Sequence, residues 1–158
     1  MKLSQNMQAF LDMIAVSEIG EALLKVSDNG YNVIVGSTPE NPILFTDYSK
    51  HPRQYQKAEN SDAAGRYQFM GRYWDHYRVQ LALPDFGPES QDLWAIQLIR
   101  ECRALEMIQD GKFPLAVEAC RSRCASLPGA GYGQHENSLA SLTDAYTAAG
   151  GTLETGDA

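Results

Sequence analysis

The stretch LDMIAVSEIGEALL, residues 11–24, begins with the pattern of an amphipathic helix and then places a glutamate on the apolar side of that pattern. Apolar residues recur at the helical spacing i, i+3, i+4 and i+7, namely at Met7, Phe10, Leu11 and Ile14. Glu18 is the next position on the same stripe. The pattern therefore predicts that the Glu18 side chain faces the interior of the protein or the wall of a cleft.

Burial at this position favours the neutral form of the Glu18 carboxyl group, because desolvation penalises a charge. Gly20 indicates a nearby helix end, and the negative end of the helix dipole is expected to raise the carboxyl pKa further. A carboxylic acid that is protonated near neutral pH can serve as the general acid in glycosidic bond cleavage. The alternative is a glutamate at a frayed helix end, and this stretch alone favours that alternative, because surface glutamates far outnumber catalytic ones.

Composition limits the classes of function that the chain can have. A length of 158 residues with 44% hydrophobic residues predicts one domain with a real core. The net charge of −7 argues against nucleic-acid binding as the main role, since phosphate contacts need clustered Lys and Arg. Residues 50–78 carry six Lys or Arg against three acids. This segment could attract an anionic polymer, or it could form a solvated face of mixed charge.

Cysteine and histidine spacing predicts neither a metal site nor a cofactor. The cysteines match no zinc knuckle and no CxxC pair, and we expect reduced thiols at Cys102, Cys120 and Cys124. No HExxH or other short paired spacing is present among His51, His76 and His135. The glycines of PGAGYGQ lack the Lys-Ser/Thr pair of a phosphate loop, so turn formation is the expected role of Gly129, Gly131 and Gly133.

The start of the chain lacks the pattern of a secretory signal. No basic segment precedes an unbroken apolar run, because polar residues interrupt it at Gln8, Asp12 and Ser17. No stretch approaches the length of about 20 apolar residues that a spanning helix needs. We therefore expect synthesis in the cytoplasm without a signal peptide, and no insertion into a membrane.

The first half of the chain predicts one helix followed by a small sheet. The helix is expected near residues 4–19, with Ser4 as a possible N-cap. The runs YNVIVG and ILFTDY are rich in β-forming residues and are separated by STPENP. They predict a small antiparallel sheet near residues 31–49.

Helical spacing returns in the second half. An apolar and aromatic stripe at helical spacing is formed by Met70, Tyr73, Trp74, Tyr77 and Leu81. It predicts a helix whose aromatic residues lie mainly in the core. Further helix boundaries are indicated by Pro88, Gly111, Pro114 and Gly150. The fold class is thus a mostly helical α+β domain over residues 1–151, and residues 152–158 are expected to form a flexible tail.

Five sequence blocks follow one another along the chain: AFLDMIAVSE, GYNVIVG, LFTDYSKHPR, AAGRYQFM and SLPGAGYGQ. In order and spacing they resemble the bacteriophage lambda endolysin family, over residues 7–151. The resemblance implies a lysozyme-like fold and a peptidoglycan lytic transglycosylase. Such enzymes cleave the bond between N-acetylmuramic acid and N-acetylglucosamine and leave a 1,6-anhydro ring on the muramic acid.

The resemblance also implies roles for individual residues. The glutamate after Ser in the first block, Glu18, corresponds to the catalytic acid. Gln68 and Tyr132 correspond to residues that line the substrate groove, and Tyr67 in the same block as Gln68 is a further substrate-binding candidate. The chain departs from the family around the acid: relatives tend to have Trp before the Ser-Glu pair and Gly-Thr after it, where this chain has Val16, Ile19 and Gly20. The loop after the acid is therefore expected to differ in shape.

Two alternatives to the transglycosylase stay open. A hydrolytic muramidase would need a second carboxylate, and the nearest candidates are Glu21, Asp28 and Asp47. Asp47, in a predicted strand, is the best of them, although a turn or ladder role is the more common one for such a residue. The other alternative is an inactive module that only binds glycans. The expected partner is the peptidoglycan glycan strand, reached in the periplasm by a monomer with the possible help of a holin.

Overall fold

A computed structural model describes residues 2–123 and 137–155. Seven α-helices lie in these ranges: α1 Gln5–Glu18, α2 Glu21–Lys25, α3 Trp74–Gln80, α4 Pro88–Glu101, α5 Leu105–Gln109, α6 Phe113–Cys120 and α7 Leu139–Ala148. Short 3-10 turns occur at Lys57–Glu59 and Gly71–Tyr73. The prediction of a mostly helical chain is thus confirmed.

The chain divides into two compact units. The first unit combines Met1–Ser17 with Ile96–Ala158, and the second unit is Glu18–Ala95. Thr152 and Glu154 attach to the first unit, because their backbone N–H groups donate to Asn6 Oδ1 and Gly111 O, both at 2.9 Å. The proposed division into a domain over 1–151 and a tail over 152–158 stays a prediction.

The core of the first unit forms around α1. Ser4 caps this helix, since its Oγ accepts a hydrogen bond from the Met7 N–H at 3.1 Å, which confirms the predicted N-cap. The Phe10 ring makes an edge contact with Phe113, and Phe113 stacks on Tyr146 with ring centres 4.4 Å apart. The apolar stripe of α1 therefore buries its aromatic residue against α6 and α7.

The core of the second unit is an aromatic cluster around Trp94. The Trp94 ring stacks on Phe69 with centres 4.0 Å apart, and Trp74 and Tyr77 also contact it. The predicted burial of these two α3 residues is confirmed, but the predicted burial of Tyr73 is wrong, because its side chain is 47% exposed. The α-helix begins only at Trp74, so the helical period does not extend back to Tyr73.

The predicted antiparallel sheet near residues 31–49 is wrong. Within the described ranges this segment forms isolated bridges and no strand, and the bridges pair Val33 with Leu44 and Ile34 with Ala64. The backbone of this segment pairs with two different stretches of chain. After the bridge between Val33 and Leu44, the Val35 N–H donates to Ala63 O at 3.0 Å, so the pairing with the stretch around Leu44 does not continue. Gly36, with φ of +87°, turns the chain away before a ladder can lengthen.

Several helix boundaries confirm the signals in the sequence. Pro88 is the first residue of α4, and Pro114 is the second residue of α6, where its missing N–H costs nothing. Gly111 has a φ of +76° shortly after α5 ends. Gly150 follows α7 with a φ of +99°. In the part of the chain that the structure describes, no helix has both the length and the apolarity to span a membrane.

Candidate functional site

Glu18 is the last residue of α1, and its side chain is half-buried. The apolar stripe that precedes it is fully buried at Phe10, Leu11 and Ile14. Glu18 therefore lies where the buried side of the helix meets the surface. The backbone carbonyls at a helix C-terminus carry a partial negative charge. The raised pKa of the Glu18 carboxyl group stays a prediction.

The backbone after Glu18 turns sharply at Gly20. This residue has φ of +87° and ψ of 148°, a conformation that residues with a Cβ rarely adopt. Among the described residues, no atom lies within 4 Å of the position that a Cβ of Gly20 would occupy. Within the described ranges, Gly20 is thus not packed against other residues on the side where a Cβ would lie. This geometry falls at the place where the sequence departs from the family pattern.

Asn137 holds the residue before the candidate acid. Its Nδ2 donates to the Ser17 carbonyl oxygen at 3.1 Å and to Ser17 Oγ at 3.0 Å, within the first unit. Sequence reasoning did not identify Asn137 as part of this region. The available signal was its position directly before Ser138, which caps α7 by accepting from the Ser141 N–H at 3.1 Å. A polar residue beside a helix cap has a fixed backbone and can reach a distant carbonyl.

Gln68 lies in a tight turn of the second unit. The turn is closed by two hydrogen bonds between Ala64 and Phe69, from Ala64 N–H to Phe69 O at 3.0 Å and from Phe69 N–H to Ala64 O at 2.9 Å. Gln68 itself has a φ of +55°, which is uncommon for a residue other than glycine. Such a conformation persists only where surrounding contacts hold it, and it is found frequently at ligand sites.

The amide of Gln68 is oriented by the backbone around it. Nε2 donates to Gly65 O at 2.8 Å and to Val33 O at 3.3 Å. Both amide protons are therefore used, while among the described residues Oε1 accepts no hydrogen bond. The side chain is half-buried. Gln68 is thus arranged to offer an acceptor, and the hydroxyl and N-acetyl N–H groups of a sugar are donors of the matching kind.

Gln91 supports this turn from α4. Its Oε1 accepts from the Arg66 N–H at 2.9 Å, and its Nε2 donates to Tyr31 O and Phe86 O at 3.0 and 2.8 Å. Gln91 is fully buried, so each of these hydrogen bonds satisfies a group that water cannot reach. A buried glutamine with every polar atom paired was not recognised from the sequence, because nothing in the α4 pattern distinguishes it from a surface glutamine.

Tyr67 points into the second unit. Its side chain is 6% exposed, and its hydroxyl donates to Asp92 Oδ1 at 2.6 Å and accepts from Arg66 Nη1 at 3.1 Å. Burial raises the pKa of Tyr67 well above its usual value, and the nearby Arg66 opposes part of this rise. Tyr31 also donates to Asp92, at 3.0 Å, and burial raises its pKa to about 12. The role of Tyr67 in substrate binding stays a prediction, and its hydroxyl is occupied by these internal contacts.

The carboxylates that could serve a hydrolase have other contacts. Asp47 Oδ1 accepts from the Ser49 N–H at 2.9 Å, and this hydrogen bond lowers the pKa of the Asp47 carboxyl group. Asp28 accepts from the Tyr48 hydroxyl at 2.6 Å. Glu21 is exposed in the first turn of α2. Asp47 therefore has the turn role that its sequence context favoured.

His51 is buried and has a defined protonation. Arg53 N–H donates to its Nδ1 at 3.0 Å, so the ring proton is on Nε2, which donates to Phe69 O at 2.7 Å. Burial lowers the pKa of His51. Both ring nitrogens are thus used in structural hydrogen bonds. Among the residues that the structure describes, no group of three or more His, Cys, Asp or Glu side chains is placed to hold a metal ion.

The basic segment 50–78 contributes to one cavity of about 530 Å³ in the second unit. Three cations line it, namely Lys50, Arg53 and Arg78, and Asp75 pairs with Arg53 at 2.9 Å. The attraction of an anionic polymer to this segment stays a prediction. The remaining candidate, Tyr132, lies outside the described residues, as do His135 and Cys124.

Comparison with known proteins gives consistent matches over nearly the whole chain. The profile of the endolysin family matches residues 8–153. The endolysin of Escherichia phage P2 is 51% identical over 156 residues, which cover 93% of this chain and 94% of that protein. The endolysin of Escherichia phage lambda is 46% identical and covers 96% of each chain.

Solved structures agree with these sequence matches. The structure of bacteriophage lambda lysozyme complexed with a chitohexasaccharide has a TM-score of 0.89 and 45% identity, and covers 98% of this chain and 99% of that one. Another structure of lysozyme from bacteriophage lambda has a TM-score of 0.84, with the same identity and coverage. The fold is therefore lysozyme-like, which confirms the fold that the sequence blocks implied.

Proposed function

Because the chain belongs to the endolysin family, we propose that it cleaves the glycan strands of peptidoglycan, at the β-1,4 bond between N-acetylmuramic acid and N-acetylglucosamine. The observation that carries this proposal is the position of Glu18, a half-buried glutamate at the end of α1 that is followed by a sharp turn at Gly20. A glycan substrate is supported by the lambda lysozyme relative, which was solved with a chitohexasaccharide.

In the proposed reaction Glu18 acts as general acid and then as general base. It protonates the oxygen that leaves with N-acetylglucosamine while the bond to the muramic acid breaks. The N-acetyl group of the substrate stabilises the positive centre at the anomeric carbon. The 6-hydroxyl of the same sugar then attacks this carbon and returns its proton to Glu18, which closes the 1,6-anhydro ring. No water is consumed, so the reaction is a lytic transglycosylation.

A single catalytic carboxylate is consistent with the contacts of its nearest alternatives. A hydrolase needs a second carboxylate at about 5 Å in a retaining enzyme, or at about 6.5–9.5 Å in an inverting one. Asp47 caps its own turn and Asp28 is bound by Tyr48, so each already has a structural partner. These contacts support the transglycosylase over a hydrolase that would use Asp47 or Asp28, and Glu21 is the exposed candidate that remains.

Gln68 is proposed to position the sugar through Oε1. Its two amide protons are held by Gly65 and Val33, so the acceptor has one preferred direction. A rotamer fixed in advance lowers the entropy that binding must cost. Tyr132 is proposed to line the same groove on the strength of the GYGQ block. We further propose that the protein acts on the wall as a monomer in the periplasm, with a holin allowing its release.

Replacement of one glutamate tests the proposal. We expect Glu18→Gln to lower the rate of release of soluble fragments from purified peptidoglycan by about two to four orders of magnitude, since it removes the proton donor but nearly preserves shape. The matched control is Glu40→Gln, an exposed glutamate outside the candidate carboxylates, which should retain the wild-type rate. Near wild-type turnover by Glu18→Gln would exclude Glu18 as the acid. Binding of glycan without any fragment release by the wild-type protein would instead indicate an inactive binding module.

A further inference from the structure

Two cysteines of the first unit lie at the ends of two different helices. Cys102 directly follows the last residue of α4, and its N–H donates to Leu98 O at 3.0 Å, so the helical turn extends to it. Cys120 is the last residue of α6. Both thiols are free. Neither belongs to the proposed catalytic reaction.

The two thiols are close enough that each influences the pKa of the other. An ion pair next to them joins the same two helix ends, because Arg123 Nη2 lies 3.0 Å from Glu101 Oε1. Arg123 is itself held on the last turn of α6, since its N–H donates to Cys120 O at 2.9 Å. Non-covalent contacts thus already hold the ends of α4 and α6 together.

The two sulfurs differ in their ability to start an exchange reaction. Cys120 is 2% exposed, and burial raises the pKa of its thiol to about 12, so it has almost no thiolate near neutral pH. Cys102 is half-buried. Burial raises the pKa of Cys102 as well, but the Arg123 guanidinium and the Cys120 thiol oppose this rise. Cys102 is therefore the more accessible and the more readily ionised thiol.

We propose that Cys102 and Cys120 form an intramolecular disulfide when the folded chain meets a disulfide oxidant. The Cys102 thiolate attacks one sulfur of the oxidant, forms a mixed disulfide and releases the other sulfur as a thiol. Cys120 then loses its proton to solvent and attacks the Cys102 sulfur, which releases the second thiol of the oxidant. Two cysteine thiols are oxidised to one disulfide, and the oxidant disulfide is reduced to two thiols.

The bond would close a loop over residues 103–119 and join α4 to α6 covalently. Such a link restricts the unfolded chain, and for a loop of about 15 residues in a protein of this size we expect the melting temperature to rise by about 6–12 °C. Disulfides persist in oxidising compartments and are rare in reducing ones. A chain that folds with reduced thiols would therefore gain this link only after it reaches an oxidising compartment.

The test is oxidation of the folded protein with oxidised glutathione, followed by alkylation of the remaining thiols and mass spectrometry of non-reduced peptides. We expect one linked peptide pair that contains Cys102 and Cys120, and an alkylated Cys124. Cys124→Ser should form the same link, and its melting temperature should be higher in the oxidised than in the reduced form. Cys102→Ser should form no such link and show no difference. Cys102 is the better position for this variant, since it is only half-buried.

Three results would overturn the proposal. One is that all three thiols remain open to alkylation once the oxidant has fully oxidised a control dithiol peptide in the same solution. Another is a linked peptide that joins Cys124 to either of the other two cysteines in place of the proposed pair. The last is a Cys102–Cys120 link that leaves the melting temperature of Cys124→Ser unchanged, which would contradict the proposed stabilisation. None of these measurements uses a cell-wall substrate, so their outcome is independent of the proposed catalytic function.

Discussion

Gly20 and Gly65 have the same φ of +87° and lie next to the two residues proposed to act on the substrate, yet their surroundings are opposite. A Cβ at Gly65 would overlap the Gln91 side chain and approach the Phe86 ring at 3.1 Å, whereas a Cβ at Gly20 would meet no described atom within 4 Å. The turn before Gln68 is therefore packed against Gln91 and Phe86 at Gly65. Among the described residues the turn after Glu18 has no such packing at Gly20, whose carbonyl oxygen accepts from the Leu24 N–H at 3.1 Å. The residue proposed to position the substrate thus lies in a packed turn, and the proposed acid precedes a turn without this packing.

The largest effect is expected from an alanine scan of these two glycines. Both substitutions place an alanine at a positive φ, which costs about 1–3 kcal/mol. Gly65→Ala in addition brings a Cβ into collision with the buried amide of Gln91, whereas Gly20→Ala meets no described atom. We expect Gly65→Ala to lower the free energy of unfolding by about 1–3 kcal/mol more than Gly20→Ala, which is the usual cost of overpacking. Denaturant unfolding of the two variants measures this difference. Equal losses would show that the two turns are supported alike.

A smaller effect, on activity, is expected from Gln68→Ala. Loss of one hydrogen bond to the substrate should lower kcat/KM on peptidoglycan by about tenfold. Gln68→Glu is the informative partner variant, since it keeps an acceptor oxygen but loses both donors to Gly65 O and Val33 O. We expect it to retain more activity than alanine if Oε1 binds the sugar. A sharp drop in melting temperature with unchanged turnover by the remaining folded enzyme would assign Gln68 a purely structural role.

The smallest effect is a pH dependence of the free energy of unfolding that arises from His51, whose ring donates to Phe69 O at the turn that contains Gln68. Burial lowers the pKa of His51; the charge of Asp62 opposes this shift and that of Arg53 adds to it. Below the ordinary histidine pKa of about 6.5, the unfolded chain therefore binds more protons than the native protein does. This contribution is fully present above that pH and is lost as the pH falls towards the native pKa of His51, with a slope of at most about 1.4 kcal/mol per pH unit.

Unfolding measured between about pH 7.5 and 5 should therefore show stability falling towards acid, and His51→Gln should flatten the curve relative to His76→Gln. Gln at position 51 keeps a donor for Phe69 O and an acceptor for Arg53 N–H, while His76 is exposed and serves as the control. Identical pH profiles for the two variants would exclude His51 as the source. The region around Gly20 contributes no such buried histidine in the described residues.

Local signals in the sequence were enough to predict α1, several later helix boundaries and the place of Glu18 at the end of α1, but they did not predict α2. The stripe of α1, its Ser4 cap and the glycine beside its end are all set by residues within about four positions of each other. The same locality explains why Pro88 and Gly111 marked real boundaries. Gln68 could also be singled out, because it lies off the aromatic stripe and near a glycine.

Contacts between distant residues could not be predicted in this way. The segment 31–49 has β-forming residues, but whether it forms a ladder depends on where its backbone groups find partners. Here two of them pair outside the segment, because Val35 N–H donates to Ala63 O and Val33 O accepts from Gly65 N–H. The hydrogen bond from the Tyr67 hydroxyl to Asp92 joins residues 25 positions apart, so the sequence around Tyr67 does not indicate it. Asn137 and Ser17 are 120 positions apart, so no local pattern records their hydrogen bonds.

The most direct test of the central claim is the chemistry of the product. If the 6-hydroxyl of the bound muramic acid is the nucleophile, each cut should yield a 1,6-anhydro end and no new reducing end. Digestion of peptidoglycan in heavy-oxygen water, followed by mass spectrometry, separates the two possibilities, because a hydrolase incorporates labelled oxygen at the muramic acid and a transglycosylase does not. We predict unlabelled anhydro ends. Predominantly reducing, labelled muramic acid would contradict the account and would require a second carboxylate, with Asp47, Asp28 and Glu21 as the first positions to test.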